Sequence, residues 1–99
     1  MPQKRKKRLE WTARGIAHFE EIFEHIAAED YQTALQVRRR LQAALDELTG
    51  HPLIGKPGML QGTRHFVVPR TSHTIVYRVT AYAVQILRIL RQQRGYFNR

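Results

Sequence analysis

The chain changes its apolar period half-way along, and no single kind of regular structure accommodates both halves. From Ala13 to Leu48 the apolar residues recur at helical spacing, whereas beyond a Gly/Pro-rich stretch from Gly50 to Gly62 they alternate with a period of two. Ile16, Phe19, Ile22, Phe23 and Ile26 fall within an arc of roughly 120° and predict an amphipathic helix. Thr12 fits its N-cap, since a hydroxyl there can accept from an otherwise unpaired N–H of the first turn. The other face carries Glu21, His18 and His25, with Glu20 and Glu24 toward the flank, and reads as solvated. Asp30 predicts the cap of a second helix with a stripe of Ala34, Val37, Leu41, Ala44, Leu45 and Leu48. Gly50 and Pro52 stop that helix, and the short connection folds the two into an antiparallel hairpin.

The segment from His51 to Gly58 alternates prolines, which fix φ, with glycines, which free it, and is expected to form no regular structure. Three strands are predicted after it: Arg64 to Val68, Thr74 to Thr80 and Val84 to Leu90, with turns at Pro69 to Ser72 and Ala81 to Tyr82. In the last run, Val84, Ile86, Arg88 and Leu90 form one face and Gln85, Leu87, Ile89 and Arg91 the other. Both are largely apolar, as a central strand requires. Arg8 to Thr12, with Trp11, reads as a first strand ahead of the helices. The fold class is α+β, in the order strand, helix, helix, three strands: a small antiparallel-rich sheet with a helical hairpin on one face. At 99 residues, one domain spanning 1–99 is expected.

Charge divides the chain differently. Residues 1–8 hold five cations as Lys4-Arg5-Lys6-Lys7-Arg8; residues 9–47 hold all eight acids against four arginines; residues 48–99 hold eight cations and no acid. The net +9 therefore belongs to the N-terminal tract and the strand half, while the hairpin is net acidic. Such a field attracts a polyanion or an acidic protein segment. The Lys4 to Arg8 tract reads either as an arm touching nucleic acid or as the charged start of an edge strand, where lysines discourage aggregation. With no cysteine and no apolar run longer than Ala81 to Val84, a cytoplasmic protein without a membrane segment is expected.

The side-chain inventory narrows the chemistry. Five histidines lack the spacing of a metal site, so no metal and no cofactor is expected. The acids sit outside the strand half, which argues against paired-carboxylate hydrolysis. Ser72 is the sole serine and has no glycine elbow around it. What remains is arginine: Arg64, Arg70, Arg78, Arg88, Arg91, Arg94 and Arg99, interleaved with Tyr77, Tyr82, Tyr96 and Phe97. Arginine with tyrosine suits phosphate clamping and base stacking. Metal-free RNA cleavage is physically open to such a set, with a cation stabilising the phosphate and a tyrosine or histidine moving the proton.

These residues, in their order and spacing, resemble the RelE/ParE superfamily of toxins from bacterial type II toxin–antitoxin systems. The resemblance runs from about Leu9 to Tyr96. It rests on Trp11 before a helix with Ile22 and Ile26; on Ala34, Leu48, Pro52, Gly55 and Gly58; and on Arg64 ahead of Val67-Val68-Pro69. Thr74-Ile75-Val76-Tyr77-Arg78-Val79 and Ile86-Leu87-Arg88-Ile89-Leu90 complete it. It implies the fold already deduced and a cognate acidic antitoxin as partner. It also implies one of two targets: DNA gyrase for ParE-like members, or ribosome-bound mRNA for RelE-like endonucleases. RelE-like members place a basic residue just before the Ile-Val-Tyr segment, where this chain has Thr74, and many members end the last strand with histidine, where this chain has Arg91. The ParE-like branch is therefore expected, with Arg64, Arg78, Arg88, Arg91 and Arg94 meeting target or antitoxin. The alternatives are a nuclease, in which Arg64, Arg78, Arg88 and Arg91 clamp phosphate and His65 or Tyr96 carries the proton, and an inactive toxin-fold binding protein.

Overall fold

The structure, a computed structural model, describes residues 6–91. Its elements are β1 (Arg8–Trp11), α1 (Ala13–Glu29), α2 (Tyr31–Gly50), β2 (Lys56–Pro57), β3 (Arg64–Val67), β4 (His73–Val79) and β5 (Ala83–Arg91). They form a five-stranded mixed sheet in the order β1-β5-β4-β3-β2. Only β1 runs parallel to its neighbour β5. The two helices cover one face, and the fold class is the α+β arrangement expected.

Both predicted caps form. Thr12 Oγ1 accepts from the Gly15 N–H at 3.0 Å, and Asp30 accepts from the N–H groups of Gln32 and Thr33 at 3.0 and 3.2 Å. The Thr33 hydroxyl also donates to Asp30, and these bonds hold its carboxyl below the usual carboxylate range. Leu41, Leu45 and Leu48 of α2 meet Ile75 and Tyr77 of β4 and Val84, Ile86 and Ile89 of β5 in one buried cluster.

The segment after α2 corrects the expectation of no regular structure. Pro52–Ile54 makes a 3-10 turn, and Lys56 and Pro57 pair with His65 and Arg64 as a short edge strand. The loop is pinned from inside, because the Tyr77 hydroxyl donates to Pro52 O at 2.7 Å and accepts from the Gly55 N–H at 2.9 Å. Burial pushes the Tyr77 phenol above its usual range, against the opposing effects of Gly55 N–H and the Arg64 guanidinium.

β5 holds the second correction. Its ladder with β4 skips at Leu87: Tyr77 faces Ile86, and Val76 faces Arg88. The extra residue is a bulge, and it shifts the alternation that follows. Val84, Ile86, Ile89 and Arg91 therefore lie toward the helices, while Gln85, Arg88 and Leu90 lie on the open face. Strict alternation had assigned Arg88 and Leu90 to the Val84 face.

The third correction concerns α1. Its single buried residue is Gly15, while Ile16 is 45% exposed. β1 ends at Trp11 opposite Ile86, so the last five residues of β5 have no strand on that side. The start of α1 takes over. Thr12 donates its N–H and its hydroxyl to Ile86 O at 3.1 and 2.9 Å, and Ile89 N–H donates to His18 Nδ1 at 3.1 Å. His18 thus seals a strand edge instead of facing solvent.

Lys6 and Lys7 of the basic tract are engaged: Lys6 Nζ lies 2.7 Å from Asp46, and Lys7 Nζ donates to the carbonyls of Thr80 and Ala81. Lys4 and Arg5 lie outside the described residues.

A Cβ at residue 15 would stand 2.6 Å from Ile86 O, while one at residue 50 meets nothing within 4 Å. Gly15→Ala is expected to destabilise the fold by about 1–3 kcal/mol through overpacking, despite the helix preference for alanine. Gly50→Ala is expected to be neutral or stabilising by about 0.4–1 kcal/mol. Urea titrations of both variants check the contrast.

Candidate functional site

Strand alternation decides where the arginines of the second half go. Arg64 pairs with Tyr77 and lies on its side of the sheet, where its Nη1 donates to Gly55 O at 2.7 Å. That guanidinium braces the loop. Arg78 is exposed opposite Gln85, on the open face, next to the position where Gln85 Nε2 donates to Glu10 at 3.0 Å. Arg91 is opposite His73 at the far end of β5, on the helix side. Arg94 and Tyr96 lie outside the described residues.

Of the expected residues that are described, the open face brings His65 and Arg88 into one groove. They sit in a row across three strands, His65 opposite Val76 and Val76 opposite Arg88, about 10 Å apart at two strand spacings. Met59 and Leu60 overhang the row, and Thr63, Leu87 and Leu90 complete a shallow groove of about 80 Å³. Among the described residues no carboxylate lines it. Thr74 lies on this face fully buried, with Oγ1 unpaired among the described residues. No described tyrosine reaches the groove: the Tyr77 hydroxyl is spent on the loop, and Tyr31 and Tyr82 stand exposed elsewhere. His65 and Arg88 can together hold a phosphate or carboxylate, and among the described residues His65 is the proton carrier lining the groove.

The family described as the ParE toxin of type II toxin–antitoxin systems, parDE, matches residues 9–96. The chain belongs to the ParE toxin family. Y4kP of Sinorhizobium fredii, a curated protein that carries the name of a toxin, is 33% identical over 85 residues, covering 86% of this chain and 88% of its own. The chromosomal ParDE system of P. aeruginosa superposes with a TM-score of 0.80 at 24% identity, over 89% of this chain and 98% of that one. The E. coli RelBE toxin–antitoxin complex superposes with a TM-score of 0.67 at 16% identity, over 89% and 99%. These structural likenesses establish the fold. The chain is thus a toxin of a type II toxin–antitoxin system, in the ParE/RelE superfamily that its sequence resembles.

A second set of polar residues in this ParE-family toxin gave no motif in the sequence. On the helix side, His18 and His25 of α1, Arg40 of α2, Arg70 and His73 beside the β3–β4 turn, and Arg91 of β5 line one cleft. Among the described residues, no group of three or more histidines and acids could hold a metal ion. His73 is 8% exposed, and burial, with the Arg91 charge beside it, pushes its imidazole below the usual range.

A lowered histidine pKa in the folded state means that the unfolded chain takes up its proton first. Stability is full above the ordinary value of 6.5 and is lost as pH falls below it. Denaturant titrations from pH 7.5 to 5 should show this loss, with a His73 contribution to the slope of at most about 1.4 kcal/mol per pH unit. The slope should flatten in His73→Gln; an unchanged slope assigns the loss to other groups.

Proposed function

We propose that the chain is a ParE-like toxin that inhibits DNA gyrase by binding, performs no nucleolytic step itself, and is neutralised by an acidic antitoxin. The observation that carries the reading is the content of the open sheet face. Among the described residues its groove holds one guanidinium, Arg88, and one imidazole, His65, with no carboxylate, while Thr74 is buried and uncharged where the resemblance expects a cation in nucleases. Cleaving a phosphodiester without a metal needs charge stabilisation on the phosphoryl oxygens together with an acid and a base on opposite sides. The arginine and histidine that the described residues place there supply half of that set. A binding surface needs only complementary shape and charge. The family match and the closer superposition on the ParDE structure than on the RelBE structure support the same branch.

Purified toxin added in excess to gyrase should abolish supercoiling and accumulate cleaved DNA complexes. Undisturbed supercoiling would sink the gyrase reading. The juxtaposition of His65 and Arg88 favours one second reading, a ribosome-dependent mRNA endonuclease with Arg88 on the phosphate and His65 moving the proton. Transcript ends mapped after induction separate the two: new cuts within ribosome-bound codons, lost in Arg88→Gln and His65→Gln, would establish cleavage.

The antitoxin follows from charge. Residues 48–99 carry eight cations and no acid, and the solved ParDE and RelBE systems pair toxins of this fold with antitoxins. An acidic segment docking on the sheet half would be held partly by long-range attraction, which salt screens. Raising ionic strength from 0.05 to 0.5 M should therefore weaken toxin–antitoxin affinity about tenfold or more. A salt-independent affinity would place the contact on apolar surface alone.

A further inference from the structure

We propose that the cleft between the helical hairpin and the far end of the sheet binds a phosphorylated small molecule of nucleotide size, its phosphoryl group held by Arg40, Arg70 and Arg91. The proposal does not depend on the gyrase reading, because the cleft lies on the helix side, away from the open face.

The arginines come from three separate elements and line one cavity. Among the described residues, the guanidiniums of Arg70 and Arg91 make no hydrogen bond or ion pair, and Arg40 is tied only through Nη1 to Arg70 O at 2.9 Å. Arg70 has a left-handed backbone, φ 62°, the sole non-glycine residue with positive φ among the described residues. An arginine there bears strain that glycine would not, and such outliers persist where the side chain is used. The Arg40 bond to its carbonyl fixes that turn. His73, in the same wall, is buried, with Nδ1 unpaired among the described residues. His18, whose Nδ1 accepts from Ile89 N–H, has Nε2 left as a donor.

Size and charge layout select the ligand. The cleft encloses about 600 Å³, within the range of sites for nucleotide-sized molecules, and Ile22, Ile26 and Val37 give it an apolar wall for an organic moiety. The cations come from α2, the β3–β4 turn and β5, whereas the α1 wall carries Glu21 and Glu29, eight residues or about 12 Å apart along the helix. Those carboxylates disfavour an extended polyacidic peptide lying along α1. They tolerate a ligand whose charge is concentrated in one phosphoryl group, which planar guanidiniums grip in bidentate fashion.

The test titrates the intact chain, at matched ionic strength, with AMP, inorganic phosphate, adenosine and a glutamate-rich peptide, following backbone amides and histidine rings by NMR. AMP should shift Thr71, Ser72, His73 and Arg91. It should also move the His73 titration upward, as the bound anion offsets Arg91. Phosphate should bind the same residues more weakly, and adenosine should not register. Arg91→Gln and Arg70→Gly should each weaken AMP about tenfold or more. Arg70→Gly should do so without lowering the melting temperature, since glycine relieves the backbone, and this variant keeps the test decisive if Arg91→Gln does not fold. Phosphate equalling AMP would reduce the site to one for a free oxyanion and overturn the nucleotide-sized assignment. No AMP response at millimolar concentration, equal affinity in the variants, or a peptide that binds this cleft where AMP does not would overturn the proposal.

Discussion

The length difference between β5 and its parallel neighbour β1 organises the rest of the molecule. β5 has nine residues and β1 four, so half of the central strand would expose its edge on the β1 side. An unpaired edge is costly when buried and adhesive when exposed. Here the chain turns into α1 at the point where β1 stops, and the helix presses its first turn onto the β5 backbone. Only glycine at residue 15 permits that approach, and Thr12 and His18 supply the hydrogen bonds that a longer β1 would have made. The bulge at Leu87 lies in the same stretch. Helix cap, strand edge and bulge therefore form one mechanical unit that sets the tilt of the hairpin over the sheet.

Local signals in the sequence carried the elements that depend on local physics. Thr12 and Asp30 cap the helices that their positions announce, and the alternation of Ile75, Tyr77 and Val79 survives intact because β4 is paired with β5 along its whole length and with β3 from Thr74 to Tyr77. The features that escaped are non-local. The face of Arg88 depends on a bulge opposite Val76 and Tyr77, which no pattern within 83–91 displays. His18 reads as solvent-facing from its helical position because its partner, Ile89, is 71 residues away in sequence. β2 is too short to have a period, and it pairs because the Tyr77 hydroxyl and Arg64 hold the preceding loop against β3.

The same physics explains why the arginines looked like one set and are not. Helical and strand periodicity sort Arg64, Arg78, Arg88 and Arg91 to two faces and four surroundings, one bracing a loop, one exposed beside the Glu10–Gln85 pair, one in a groove with His65 and one in the cleft. Of the two that join Arg91 there, Arg70 stands only in the general arginine set and Arg40 in no expected set, because nothing in one dimension links α2 to the β3–β4 turn. A signal was nonetheless present in Arg70, which follows Pro69 in a tight turn where glycine or asparagine would be the undemanding choice. A long cation in such a turn departs from the usual turn chemistry.

Superposition on both ParDE and RelBE structures over nearly the whole chain means that the backbone does not discriminate between binding and cleavage. The discrimination falls to a few open-face side chains. Thr74 shows how little sequence change that takes. A charged residue at this position could not be buried as Thr74 is without a partner, so it would have to extend to solvent over the groove and add a cation to it. Threonine instead withdraws into the sheet, at the cost of an unpaired hydroxyl worth about 1–3 kcal/mol. Among the described residues, the face it leaves is apolar at Val76, Leu87 and Leu90, with Arg88 and His65 beside them, so one residue decides whether this surface gains a second cation.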